Sequence, residues 1–313
     1  MLVATAARPG FRLACYSTRI QNSLVAHAVF TTKVAPTYDD LPEERYHFPA
    51  TYLRQAQAAL GDWILYYEPR RSSGDLSSRG GRSSYFGIAR LVAIDPDTKD
   101  PTQYYARVED YLDFERAVPF RENGHYYESA LEKEDGTTSK GAFGRSVRNL
   151  RTDEFDAIVD AGFPSHARSN PQDHEPEMID RPLVSGMVAR PFRDRAFRTN
   201  IRHAYAGVCA VSGLSLTDHQ GRFEAHAAHI RAVEAGGTDS VRNGLSLCGT
   251  VHWLFDRGLI SVTDDFGILL SASLPKQALV LVRPERKIIL PAREDAQPHP
   301  THLAYHRREV FRP

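Results

Sequence analysis

The chain has 313 residues, 42% hydrophobic and 25% charged, a globular balance that excludes wholesale disorder. Its length suits about two domains, and its apolar runs, such as 24–29, are far too short to span a membrane. Lys plus Arg and Asp plus Glu both number 39, so only a local excess of charge can point to a polyanion.

Residues 1–25 carry Arg8 and Arg12 but no proper apolar core, and are expected to be an N-terminal extension. Residues 46–127 then hold nearly half of the aromatic side chains. Within them, 49–60 predicts a short helix: Pro49 suits its start, Leu53, Ala56 and Leu60 share a face, and Gly61 ends it. The runs 63–67 and 85–94 are rich in β-formers and predict buried strands. Between them lies a Ser- and Gly-rich loop carrying Arg70, Arg71, Arg79 and Arg82, long enough to reach a nucleic-acid backbone. Shorter strands are expected at 104–108, 118–120 and 126–129, and a helix capped by Thr152 runs to Gly162. Residues 166–189 lack apolar periodicity and predict a linker. From Arg190 to Arg231 the balance turns basic, with Arg198, Arg202 and Arg231 as candidate phosphate contacts. The tail 284–313 is rich in Pro, His and Arg and is expected to wrap the surface.

The chemistry concentrates in 209–270. A strand at 222–227 would deliver His229 to its end, Gly236-Gly237 turns the chain, and Asn243 sits where it can brace that turn. A helix at 250–257 places His252 and Asp256 on one face, and 260–262 with 268–270 closes as a hairpin. One imidazole at a strand end facing another on a helix suits metal-assisted hydrolysis: one takes the proton of water, the other holds a cation.

The stretch 195–272 resembles the HNH endonucleases, whose ββα-metal motif places His, Asn and His in the order of His229, Asn243 and His252. The flanking Ala-Ala-His-Ile, Asn-Gly-Leu-Ser-Leu-Cys and His-Trp-Leu-Phe-Asp-Arg-Gly-Leu-Ile look like a branch found in restriction endonucleases. The resemblance implies His229 as general base, Asn243 as its orienting group or a metal contact, and His252 as metal ligand. It implies Mg²⁺ or a similar divalent ion (Mn²⁺ as substitute), and 5′-phosphate and 3′-hydroxyl products. Many members carry an acidic ligand just before the first His; here Ala228 stands there, so Asp256 or His226 is a candidate to complete the metal site. Many also hold zinc on two Cys-x-x-Cys pairs. Here Ser212 and Val251 replace two thiolates, leaving Cys209 and Cys248, and no structural zinc is expected.

Residues 26–165 resemble an EVE domain of the PUA-like superfamily, through Gly-Asp-Trp-Ile-Leu-Tyr-Tyr at 61–67, Tyr-Phe-Gly-Ile-Ala at 85–89, and Asp95-Pro96. Such β-barrels hold a flipped base among aromatic rings, which makes Trp63, Tyr66, Tyr67, Tyr85 and Phe86 candidates for a modified-base pocket. The expected architecture is therefore α+β: an N-terminal PUA-like barrel with peripheral helices at 26–165 and a ββα-metal nuclease at 190–283. The expected function is that of a type IV-like, modification-dependent restriction endonuclease acting on double-stranded DNA with modified cytosine. One such site cuts one strand, so a double-strand break implies a homodimer or two events. The three cysteines, Cys15, Cys209 and Cys248, cannot form a disulfide framework, which suits a cytoplasmic protein. Two alternatives stand beside this: a nicking or homing-type HNH nuclease without base preference, and a non-catalytic DNA-binding protein with a decayed site.

Overall fold

The computed structural model describes residues 27–32, 41–69, 81–164 and 190–313. In chain order the first region contains β1 (His27–Thr31), β2 (Arg45–Pro49), α1 (Leu53–Ala58), β3 (Trp63–Glu68), β4 (Ser84–Pro96), β5 (Gln103–Pro119), the small hairpin β6 (Arg121–Glu122) and β7 (His125–Tyr126), α2 (Lys140–Phe143), β8 (Val147–Leu150) and α3 (Thr152–Gly162). Six of these strands form one sheet in the order β2-β5-β4-β3-β1-β8. All its neighbours are antiparallel except β1 and β3. The expected pieces 104–108 and 118–120 are the ends of one long strand, β5.

The sheet curls because its central ladders carry bulges. Register shifts occur once between β3 and β4 and three times between β4 and β5, and each bulge sharpens the local twist. Curling brings the β2 edge back toward the other side of the sheet. The Tyr46 hydroxyl donates to the Thr31 carbonyl at 2.6 Å, and the Tyr46 and Phe30 rings are 5.0 Å apart. Side chains bridge that gap, so the sheet is a half-barrel with two edges rather than a closed cylinder.

Every residue of β3 is buried, because both faces of the sheet are covered. Trp63, Leu65 and Tyr67 face α3, with Phe155, Ile158 and Val159. Ile64 and Tyr66 fill the inside of the curl with Phe30, Tyr46, Phe48 and Ala56 of α1. Helix α3 begins one residue into the expected cap: Thr152 is already helical, and Glu154 accepts from the Arg151 backbone N–H at 3.1 Å.

The second region starts with α4 (Arg190–Tyr205), a helix hidden in the sequence by its arginines. Then follow β9 (His226–His229), β10 (Gly244–Leu247), α5 (Gly249–Asp256), the hairpin β11 (Ile260–Val262) and β12 (Ile268–Leu270), and α6 (Pro300–Tyr305). Phe192 and Ala196 of α4 belong to the sheet core, whereas Phe197, Ile201 and Tyr205 belong to the second core with Leu245, Leu247, Val251 and Phe255. The helix therefore joins two cores. Strand β9 sits later than the expected 222–227, with His229 as its last residue. Gly258 ends α5 at φ +70°, where a Cβ would lie 2.1 Å from the Val310 carbonyl oxygen, so only glycine fits. The tail corrects the expected surface wrap. Ala296 and Leu303 are core residues, and the His306 ring stacks on Phe255 at 3.7 Å.

Candidate active site

Strand alternation decides which β9 side chains meet. Ala227 and His229 line a cleft of about 340 Å³ with Glu234, His252 and Asp256. His226 and Ala228 take the opposite face, with Ala228 buried in the core. His226 therefore does not join His229 and His252. The His229 ring lies flat on Phe197, 3.9 Å between centroids and 10° between planes, and its Nε2 is 3.0 Å from Asp239 Oδ1. Across the cleft, one turn of α5 brings His252 Nε2 within 3.4 Å of Asp256 Oδ2.

Asn243 braces the turn between β9 and β10, as its place after Gly236-Gly237 predicts. Its buried side chain accepts from Arg231 N–H at 2.9 Å and donates to the carbonyls of Arg231 and Thr238, each at 2.9 Å. Those bonds close the loop between β9 and β10 and hold β9 in place. Both polar atoms of its amide are engaged by backbone groups.

Asp239 is the residue that sequence reasoning missed. It is fully buried, and Arg193 of α4 grips its other oxygen at 2.8 Å. Burial works against its charge, but the His229 hydrogen bond and the Arg193 guanidinium overcome that penalty and hold its carboxyl below the usual range. The sequence shows only an acid after Gly-Gly-Thr, and Arg193 lies far upstream, so no local spacing marks the pair.

The arginines divide into three groups. Arg70, Arg71 and Arg79 lie outside the described residues. Arg198 and Arg202 are exposed and share one face of α4 with exposed Arg195, at i, i+3 and i+7. Arg82 and Arg231 are half-buried and have internal partners. Arg82 pairs with Glu68 and with Asp295 at 3.0 Å, and its guanidinium lies 4.0 Å from the Phe86 ring centroid. Arg231 donates to the Ala235 carbonyl at 2.8 Å and covers the Tyr305 ring.

The five expected pocket aromatics do not form one cage. All are buried, Trp63, Tyr67 and Tyr85 on the α3 side of the sheet and Tyr66 and Phe86 on the other. Strand periodicity sends neighbours to opposite faces, and packing claims each ring. Phe86 lines a cavity. This space of about 420 Å³ lies between the sheet and the tail, lined by Phe86, Tyr111, Asp113, Arg82, Glu43 and His299 among others.

Among the described residues, no group of three or more His, Cys, Asp or Glu side chains is arranged to hold a metal. His252 and Asp256 form a two-ligand set in an open cleft, which fits an ion that also takes oxygens from phosphate and water. Cys209 and Cys248 are buried core residues, and Ser212 Oγ lies 3.8 Å from Cys248 Sγ.

Residues 209–263 match the HNH endonuclease family HNH_2. The matched segment contains β9, Asp239, Asn243 and α5, and so both imidazoles that face each other across the cleft. The chain thus carries an HNH endonuclease domain joined to a curled mixed sheet, and its enzymatic class is endonuclease. Three solved structures are similar at low score. A modification-dependent TagI restriction endonuclease matches with TM-score 0.31 and 16% identity over 90% of this chain and 81% of its own. The N-terminal domain of Staphylothermus marinus McrB matches with TM-score 0.29 and 14% identity over 45% and 93%. The type IV phosphorothioation-dependent restriction endonuclease ScoMcrA matches with TM-score 0.20 and 13% identity over 72% and 46%. No curated protein matches the chain. No helix among the described residues is long and apolar enough to cross a membrane.

Proposed function

We propose that the chain is a modification-dependent restriction endonuclease, in which the half-barrel reads an altered base and the HNH domain cuts nearby. The cleft that brings His229, His252 and Asp256 together, with buried Asp239 bonded to His229, is the observation that carries the nuclease half. Asp239 accepts at His229 Nε2, which leaves the Nδ1 lone pair free to take a proton from the attacking water. His252 and Asp256 would hold the divalent ion, Mg²⁺ by preference, and that ion supplies neutralisation of phosphate charge. The exposed face of Arg195, Arg198 and Arg202 is suited to track the DNA backbone.

The base-reading half is supported by the cavity against Phe86. Its walls combine aromatic edges with the polar groups of Arg82, Glu43 and His299, which suits a site that reads a base by contacts to its edge. Modified cytosine is the substrate class we favour, and cutting of both strands would take two copies of the chain. The test is cleavage by the full chain, with Mg²⁺ and with EDTA, of plasmids that are unmodified or carry 5-methylcytosine, 5-hydroxymethylcytosine or N6-methyladenine. Cleavage confined to one cytosine modification and abolished by EDTA is expected. Equal cleavage of every plasmid leaves an HNH nuclease without base preference, and no metal-dependent cleavage of any leaves a DNA-binding protein.

A further inference from the structure

The loop that carries Asp239 is fastened from outside the nuclease domain. Val241 N–H donates to Asp113 Oδ2 at 2.8 Å, Ser240 Oγ donates to Glu43 Oε1 at 2.9 Å, and Leu112 forms a parallel bridge with Asp239 itself. Arg193, having gripped Asp239, also donates to Asp110 Oδ1 at 2.6 Å. Asp110 lies within the β5 bulge at φ +55°, a left-handed conformation that Asp tolerates better than most residues. Bulges re-aim side chains, and this one presents a carboxylate to the helix that joins the two cores. Arg90 Nε donates to the other Asp110 oxygen at 3.1 Å, which fixes the carboxylate from the sheet side.

We infer that Asp239 is the positioning residue for the general base His229, and that Arg193 transmits its placement from Asp110 on the sheet. The inference rests on the nuclease reading of the cleft and adds a residue to it. The geometry leaves the imidazole little freedom: Phe197 covers one face and Asp239 fixes one edge. A carboxylate can only accept, so the ring proton sits on Nε2 and the basic lone pair on Nδ1. A buried carboxylate on the far nitrogen fixes both tautomer and orientation of a general-base histidine. A neutral amide at 239 can offer Nε2 either its oxygen or its amino group, and the second choice favours the wrong tautomer. Asp239 is itself held because Arg193 neutralises it and cannot swing away while bonded to Asp110. The line from sheet to imidazole is therefore continuous: Asp110, Arg193, Asp239, His229.

The test uses the full chain and the plasmid that the wild type cuts fastest. Asp239→Asn is expected to lower the single-turnover rate about 10²-fold, with DNA affinity within about twofold of wild type. In a His229→Ala background the same substitution is expected to change the residual rate less than about twofold, because groups acting as a unit are not additive. Asp239→Glu should recover part of the loss. Asp110→Asn, which keeps the Asp239–His229 bond, should lower the rate by a smaller factor, roughly three- to tenfold, and covers the case in which Asp239→Asn does not fold. Histidine side-chain ¹⁵N NMR supplies a readout without turnover: the signal lost in His229→Gln should report an Nε2–H tautomer in the wild type and lose that preference in Asp239→Asn. A folded Asp239→Asn enzyme within threefold of the wild-type rate would overturn the inference. So would an equal loss in the His229→Ala background, an Nδ1–H tautomer in the wild type, or a folded Asp110→Asn enzyme at the wild-type rate. Failure of the wild type to cut any plasmid would instead remove the nuclease reading, while the NMR arm still decides the placement of Asp239.

Discussion

The two regions of this molecule achieve rigidity by opposite means. The half-barrel relies on ladder hydrogen bonds and on rings packed against both faces of β3. The nuclease domain has strands of three or four residues, too short to be stable alone. Its loop is held by polar contacts instead, through Asn243, Asp239 and carboxylates lent by the sheet. Apolar packing tolerates small shifts, whereas a buried polar network is costly once one partner is lost. Substitutions in the first region should therefore cost stability, and substitutions in the second should cost chemistry.

The largest effect tests that division directly. His229→Ala should reduce single-turnover cleavage about 10²–10⁴-fold while leaving DNA binding nearly unchanged, at a stability cost of about 1–3 kcal/mol for the buried Asp239 oxygen it strands. Phe30→Ala should do the reverse, costing about 3–5 kcal/mol through cavity formation, read by urea denaturation, with unchanged cleavage per folded molecule. Asn243→Ala should affect both: it strands buried groups worth about 1–3 kcal/mol each and loosens the loop beneath Asp239, so stability and rate should fall together.

A pH experiment sharpens the comparison further, because the tail adds two buried imidazoles to the nuclease side. Burial depresses both His302 and His306 to about 4, below the ordinary value near 6.5. The unfolded chain binds these protons before the folded chain does, so stability should fall as pH drops from about 6.5 toward 4. His302→Leu should flatten that decline, since no described group bonds either ring nitrogen; urea midpoints at pH 7 and pH 5 measure it. The smallest effect belongs to the exposed arginines. Arg198→Ala and Arg202→Ala should weaken binding to all DNA alike, and each should reduce the slope of log affinity against log salt by about 1, read by anisotropy titrations.

What was legible in the sequence follows the same division. The strand at 63–67 was readable because its β-formers are contiguous, and the hairpin 260–270 because a turn separates two short apolar runs. Strands β1 and β8 escaped notice because their partners lie far away in sequence and neither alternates in polarity. The middle of β5 was obscured by Glu109, Asp110, Asp113 and Glu115, two of which face the other core. Helix α4 was obscured because its surface is shared among sheet, nuclease and solvent, leaving no single apolar stripe. Of the cleft residues, His252 and Asp256 were readable as neighbours from their i, i+4 spacing, and His229 from the resemblance of its segment to HNH endonucleases. Asp239 was not, since its meaning depends on Arg193 46 positions away. The five candidate aromatics failed as a cage for a simple reason: adjacency in a strand places side chains on opposite faces.

The carboxylates of Glu43, Asp110 and Asp113 carry a consequence for how such enzymes can be recombined. A chain built of a sheet module and a nuclease module invites exchange of one sheet module for another at the intervening segment. Here a graft would arrive without the three acids that meet Ser240, Arg193 and Val241. A new sheet module would have to bring its own acids at matching positions, or the transplanted nuclease would inherit a loose loop and an idle imidazole. The boundary between the modules is thus drawn by side chains on both sides of it, and the sheet cannot be exchanged at the peptide junction alone.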